Sequence, residues 1–449
     1  MEKANTLSRA WAVLDPEVPL PSGDERYVDL SAVRGGEAVV EEIARRIRWT
    51  DETLDLTGKN FVNLLVTGHR GNGKSTELLR LKQVLEEDGY LVVYFVGEVE
   101  LNLGDVEWSD ILLTMVSQVV EQAKKADLRP DEETLERIVG WLAQELVKKE
   151  VRREQEIELV GQFGVDASLP FFAKVLAAIK GAFRTGAVQV REIRREVERR
   201  ASGLLKDIND LIDDLQRQLE TSGRKGLVII VDDLEKIVLR SLADSPRLTT
   251  HSAIFVEHGE HLKTPHCHLI YTMPVSLLSE ENVGQIFPDT PFVIPVVKVR
   301  TRTGRRYAAG VRALCQVVER RVDTGAVFEL PKLLEELALT SGGHLRDFLR
   351  LVRYASQYAT ADRIDRAATK KAVSAMIREY DRLVKDADLP KLVYIARERR
   401  LPRDAEYAHL PYHLLVLEYR NEEAWADVHP LVARTAKFKE RLINEDEKE

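Results

Sequence analysis

The stretch Gly68-His69-Arg70-Gly71-Asn72-Gly73-Lys74-Ser75-Thr76 constrains this chain of 449 residues more than any other. The apolar run Phe61 to Val66 precedes it, and a helical pattern from Glu77 to Leu85 follows. Strand, glycine-rich loop and helix in that order make an anion cradle. Glycines let successive backbone N–H groups turn inward around a polyphosphate without Cβ obstruction. The helix that starts there points its positive end at the same charge. Lys74 is expected to reach the β- and γ-phosphates of a nucleotide, and the Ser75 hydroxyl to ligate Mg2+.

Further apolar runs, Leu91 to Val96, Leu227 to Val231, Leu269 to Thr272 and Phe292 to Ile294, alternate with helical patterns. Uninterrupted runs of this kind suit strands buried on both faces, which predicts an α/β fold with a parallel sheet. The run Val228 to Val231 ends in Asp232-Asp233-Leu234-Glu235-Lys236. A carboxylate at the tip of such a strand would hold Mg2+, and Asp232 has that place. A second carboxylate must orient and deprotonate the attacking water; Asp233 is the first candidate and Glu235 the second. Thr272 ends the next strand, where its hydroxyl would meet the γ-phosphate or the water.

The chain divides as follows. Residues 1–26, with Pro16, Pro19, Pro21 and Gly23, read as an extended arm. Residues 27–128 and 224–300 form the nucleotide core, 129–223 a helical insertion, 301–385 a helical lid, and 386–449 a small domain with one helix and a hairpin turning at Asn421-Glu422-Glu423. Within the insertion, Ile193, Val197, Leu204, Ile208, Leu211 and Leu215 recur at helical spacing from Val190 to Leu219. The pattern reads first as packing within the chain and second as an arm contacting a second subunit or a partner. The segment Leu169 to Ile179 is apolar enough to lie on a membrane surface but too short to span one. Packing is the preferred reading there too.

Composition narrows the rest. A net charge of −8 argues against a surface coated for nucleic acid, although Lys298, Arg300, Arg302, Arg305, Arg306 and Arg312 form a local basic run. Cys267 and Cys315 are the only cysteines, which excludes a disulfide framework and suits a reducing, cytoplasmic setting. His251, His258, His261, His266 and His268 crowd around Cys267 without the spacing of a four-ligand zinc site, so they read as packing and loop histidines.

The order of these parts resembles AAA+ and STAND-type P-loop ATPases, especially replication-initiator-like members with a helical lid and a winged-helix end. The Asp-Asp-Leu-Glu-Lys run also resembles the KAP group. The resemblance implies ATP and Mg2+ as cofactors, with adenine lined by Tyr27 to Gly35. It implies that Thr272 is a first sensor and that Arg346, in Gly343-His344-Leu345-Arg346, is a second that leans onto the phosphates. Where AAA+ proteins carry a subunit-bridging arginine, this chain reads Val283-Gly284-Gln285-Ile286. That departure favours a slow ATPase used as a molecular switch, regulating its own assembly or a protein partner, with anti-phage defence as a setting suggested by family company. The alternative is an ATP-dependent initiator or loader that binds DNA through its C-terminal domain.

Overall fold

The computed structural model describes residues 2–36, 38–57, 61–147, 152–163, 165–166, 170–186, 190–242, 245–280, 283–420 and 424–446. Its centre is a five-stranded sheet: β1 (Asn63–Thr67), β2 (Tyr90–Val96), β3 (Gly226–Asp232), β4 (His268–Thr272) and β5 (Phe292–Val293). The strands lie in the order β2-β3-β4-β1-β5, and every pairing is parallel. This is the P-loop α/β fold that the apolar runs predict. Because β4 lies between β1 and β3, Thr272 at its tip separates the glycine-rich loop from the carboxylates. Register brings the carboxyl ends level: Val66 lies opposite Thr272, and Val231 opposite Tyr271.

Strand side chains alternate between two apolar layers, as the pleat requires. Leu64, Val66, Val92, Val228, Ile230 and Ile270 pack with the helices Val39–Glu52 and Lys74–Glu87. Leu65, Val93, Ile229, Val231, Leu269 and Tyr271 face the helix Trp108–Lys125 and the insertion. The insertion comprises helices Glu132–Val147, Arg152–Phe163, Phe171–Thr185, Val190–Arg199 and Ala201–Thr221. Its residues Ile193, Val197, Leu204, Ile208, Leu211 and Leu215 are buried in the same core as the sheet. These side chains therefore do not form the face of a projecting arm, and the helix breaks at Arg200 rather than running on. Phe171, Phe172, Val175, Leu176 and Ile179 are buried likewise, as the packing reading expects; Leu169 itself lies outside the described residues. Among the described residues no helix is long and apolar enough to cross a membrane.

Arg194 fastens the insertion to the core. Its Nε donates to both carboxylate oxygens of buried Asp110 at 3.1 Å, and its NH1 reaches Asp105 at 3.1 Å and Glu107 at 3.3 Å.

A second core is shared by the N-terminal segment, the lid helices and the C-terminal segment. The N-terminal segment is not wholly extended. A helix, Leu7–Val13, is capped by the Thr6 side chain and buries Ala10 against the lid. Its prolines begin only after that helix ends. The lid holds helices Ala308–Glu319, Pro331–Thr340, Leu345–Tyr358 and Arg366–Leu383. The C-terminal segment has the helix Leu389–Glu398, the antiparallel pair Val416–Arg420 and Ala424–Val428, and a second helix, Ala436–Asp446. That last helix has few apolar residues to announce it; Phe438 anchors it in the core. The hairpin turn at 421–423 lies outside the described residues.

Candidate functional site

Each backbone carbonyl from Gly68 to Gly73 has a donor. Lys74 Nζ donates to Gly68 O and His69 O, both at 3.0 Å. His344 Nε2 bonds Arg70 O at 2.6 Å, and the Arg346 backbone N–H bonds Gly71 O at 3.0 Å. Arg34 NH2 bonds Asn72 O at 2.6 Å, and the Glu77 N–H bonds Gly73 O at 3.2 Å. In a trans peptide the N–H points opposite its C=O. Holding the carbonyls of residues 70 and 72 outward therefore turns the N–H groups of Gly71 and Gly73 to the other side. Both glycines line a cavity of about 750 Å³, along with Lys74, Ser75, Thr76 and Arg346. Gly71 has to be glycine: its φ is +79°, and a Cβ would sit 2.5 Å from Arg346 Cβ.

Three carboxylates converge at the end of β3. Asp232, Asp233 and Glu235 each offer an oxygen within 4.8 Å of the others, and all three are buried. The Tyr94 hydroxyl donates to Asp232 Oδ2 at 2.7 Å, and Ser75 also bonds this carboxylate. Burial, and then the neighbouring Glu235 and Asp233 charges, push Asp232 above the ordinary carboxylate range. Asp233 is pushed up by burial and by Glu235, and Lys236 Nζ lies 3.0 Å from it. Glu235 Oε1 is 2.8 Å from Lys74 Nζ. Burial is the largest influence and would raise Glu235, but the charge and hydrogen bond of Lys74, together with hydrogen bonds from Thr272 and the backbone, outweigh it and the net direction is down. Three buried carboxylates served by two lysines, Lys74 and Lys236, fit a divalent cation. Ser75 and Asp232 could hold it.

The remaining sequence candidates divide. Arg346 lies against the loop, as its side chain crosses Gly71, and its NH2 is 3.1 Å from Glu17 of the N-terminal arm. Thr272 is fully buried and does not line the cavity; its Oγ1 accepts from the Leu234 N–H at 2.9 Å and so shapes the turn that carries Glu235. Asn72 turns away, donating to Ile294 O at 3.1 Å and Pro295 O at 2.6 Å. His69 and Arg70 also turn away, toward the C-terminal segment. His69 Nδ1 lies 3.2 Å from Pro411 O, and its Nε2 accepts from the Glu418 N–H at 3.0 Å. Arg70 NH2 bonds the Tyr412 hydroxyl at 2.7 Å, with the guanidinium over the ring.

Residues 55–259 match the family model for the AAA ATPase domain. This chain carries an AAA ATPase domain. ATP binding and hydrolysis are thus the work of its core. No curated protein matches the chain. Solved structures similar to it include the Orc1 protein of Aeropyrum pernix in complex with DNA (14% identity, 97% of this chain and 96% of that one, TM-score 0.38). A Walker-type ATPase of Pyrococcus abyssi is 13% identical over 94% and 98%, with a TM-score of 0.41. The RuvB Holliday junction branch migration motor of Thermotoga maritima is 12% identical over 90% and 95%, with a TM-score of 0.34.

Several residues around the ATPase site escape motif reading. Tyr94 gives no signal beyond a hydroxyl in an apolar strand. Arg34 is 7% exposed and reaches the loop from 38 residues upstream. Glu17 and Tyr412 come from opposite ends of the chain. The histidines near Cys267 do other work: His251 bonds Ser276 and the Ile237 carbonyl, while His258 and His261 stack beside Trp108.

His69 yields a pH prediction for the ATPase domain. Burial, and then the His344 charge, push it down to about 3. A histidine depressed in the folded state contributes stability above its unfolded value of 6.5, and that contribution is lost as pH falls through the folded value. The docking of Glu418 on His69 is expected to loosen in acid. Amide exchange at Glu418, corrected for its intrinsic rate, should lose up to about tenfold protection per pH unit below 6.5. Protection that is flat down to pH 4 would show that His69 is not what holds this contact.

Proposed function

We propose that the chain is an ATP-operated switch in which nucleotide replaces ion pairs internal to the protein. One observation carries this reading: both cations placed to meet phosphate are already paired with carboxylates. Lys74 is held by Glu235 at 2.8 Å, and Arg346 by Glu17 at 3.1 Å. A triphosphate competes for both. Drawing Lys74 onto the β- and γ-phosphates frees Glu235 to orient and deprotonate water, so we assign it, rather than Asp233, as the base. Drawing Arg346 away from Glu17 releases the arm, which is also tied to the loop helix through Leu20 N–H to Thr76 Oγ1 at 3.2 Å. Mg2+, held by Ser75 and Asp232, would neutralise phosphate charge. Tyr27, Val28 and Leu30 line the same cavity and would meet the adenine. The message is the changed placement of arm, lid and C-terminal segment, read by a protein partner or a second copy of the chain.

Small-angle scattering with calorimetry tests this. ATP with Mg2+ should change the radius of gyration, and Arg346→Ala should abolish that change. The variant should also weaken ATP about tenfold or more while leaving ADP within about twofold, because the lost contact is a charge-assisted one to the γ-phosphate. Equal weakening of both nucleotides would remove the switch reading.

The DNA-binding alternative has one observation in its favour. Arg300, Arg302 and Arg305 stand exposed on a turn closed by the pairing of Arg300 with Arg306. A salt series of duplex binding decides it. No binding at low salt, with or without ATP, removes this reading.

A further inference from the structure

Behind the phosphate loop lies a buried polar cluster that the ATPase chemistry does not use. His344, Asp347, His429 and Tyr380 are all buried, the histidines completely. The Tyr380 hydroxyl donates to Asp347 Oδ2 at 2.5 Å, His344 Nδ1 lies 3.2 Å from the same oxygen, and His429 Nε2 lies 3.1 Å from it. Arg350 NH1 is 3.6 Å from the other oxygen, Oδ1. His344 comes from the lid and His429 from the C-terminal segment.

The outer nitrogens settle the proton count. His344 Nε2 lies 2.6 Å from the Arg70 carbonyl, which accepts only, so Nε2 carries a hydrogen. Its Nδ1 lies 3.2 Å from Asp347 Oδ2 but is not aligned for a hydrogen bond, so this contact does not call for a second hydrogen. His429 Nδ1 accepts from the Leu431 N–H at 3.1 Å, so the single hydrogen of a neutral His429 is on Nε2, toward Asp347. That placement also argues against a metal ion at this cluster, since His429 would have to ligate through a protonated nitrogen.

We infer that His344 is a positioning residue for the phosphate loop: its Nε2–H holds the Arg70 carbonyl, and the ring keeps that place only while Asp347 from the lid and His429 from the C-terminal segment stay packed beside it. The consequence reaches the nucleotide through one peptide unit. With Arg70 O fixed on His344, the Gly71 N–H is turned away from the lid, toward the side on which a phosphate would lie. Displacement of the His344 ring frees that peptide to flip. The C-terminal segment thereby sets nucleotide affinity from behind the loop.

Other charges around the cluster agree. Burial would raise Asp347, but the two histidines together outweigh it and hold the carboxyl far below the ordinary range. Burial pushes His429 down, although Asp347 opposes this. Tyr380 stacks on His429 with ring centroids 4.5 Å apart and holds it in register.

The inference rests on nucleotide binding at the loop, so its test begins without nucleotide. The full chain, with 13C,15N-labelled histidine, is examined by NMR at pH 7.5, and His344→Gln identifies the resonance. A hydrogen on His344 Nε2, slow to exchange because it is bonded to the Arg70 carbonyl, is expected; a His344 without a hydrogen on Nε2 overturns the inference. So does a stoichiometric metal in the purified protein. In His429→Ala, the His344 Nε2 hydrogen should exchange faster and the ATP Kd should rise about tenfold, with kcat at saturation within about twofold. His344→Ala and His344→Gln test the contact directly. Alanine should weaken ATP about tenfold, and glutamine should recover part of the loss because its amide still donates to Arg70. Unchanged affinity in all of these variants overturns the proposal. If the wild-type chain binds no ATP at all, the switch reading fails while the proton count still stands.

Discussion

Replacing Lys74 with alanine is expected to abolish ATP turnover and to destabilise the nucleotide-free protein by about 3–5 kcal/mol. The first effect follows from losing the cation that meets the phosphates. The second follows from what the substitution leaves behind. Lys74 and Glu235 are 3% and 5% exposed, and Glu235 Oε2 already has no partner among the described residues. Alanine leaves a buried carboxylate with no counter-charge. The sign of its pH dependence should then invert. In the wild type, Glu235 is held below its ordinary value of 4.5, so it contributes stability above that value and loses it as pH falls. Without Lys74, burial is the largest influence left, opposed only by the Thr272 and backbone hydrogen bonds, and pushes the group up. Its contribution is then present in acid and lost as pH rises. Chemical denaturation across pH should show the gap between variant and wild type narrowing as pH falls from above 4.5, through the variant's raised value, to below it. A gap that is constant with pH would mean that Glu235 is not the group left stranded. Adding Glu235→Gln to Lys74→Ala should restore part of the stability.

Glu235→Gln alone is expected to lower turnover by about 10² to 10⁴ while keeping ATP bound. Glutamine keeps the shape of the side chain and its reach toward Lys74 but cannot take a proton from water. The same isosteric change at Asp233 should have a smaller effect. Asp233 sits in a left-handed conformation, φ +66°, with its carboxylate on Lys236, which in turn pairs with Glu98. Single-turnover hydrolysis with labelled ATP separates the two variants. A loss of chemistry in Asp233→Asn that exceeds the loss in Glu235→Gln would reverse the assignment.

Much of this molecule can be read from local pattern. Uninterrupted apolar runs such as Tyr90–Val96 announce buried strands, and all five strands of the sheet lie where those runs fall. The loop motif announces the anion cradle because glycine, lysine and serine are each required there by a separate physical demand. What local pattern cannot show is which distant groups complete a site. Glu17, Arg34 and Tyr412 look like ordinary surface residues in the sequence, and only the lid and C-terminal packing bring them to the loop. The insertion left two readings open for a related reason. An amphipathic helix presents the same apolar stripe whether its cover is its own sheet or another protein, and periodicity does not distinguish them. The helix Leu7–Val13 is hidden by the prolines that follow it.

The positions between the fixed letters of the phosphate motif are usually regarded as free to vary. Here His69 grips the C-terminal hairpin, Arg70 lends its carbonyl to the lid and its guanidinium to Tyr412, and Asn72 ties down the segment after β5. A chimaera carrying another protein's loop, with every invariant letter intact, would keep the means to grip phosphate yet lose its wiring to the lid and tail. For a chain of this design, the variable letters are inherited as a set with the surfaces they touch.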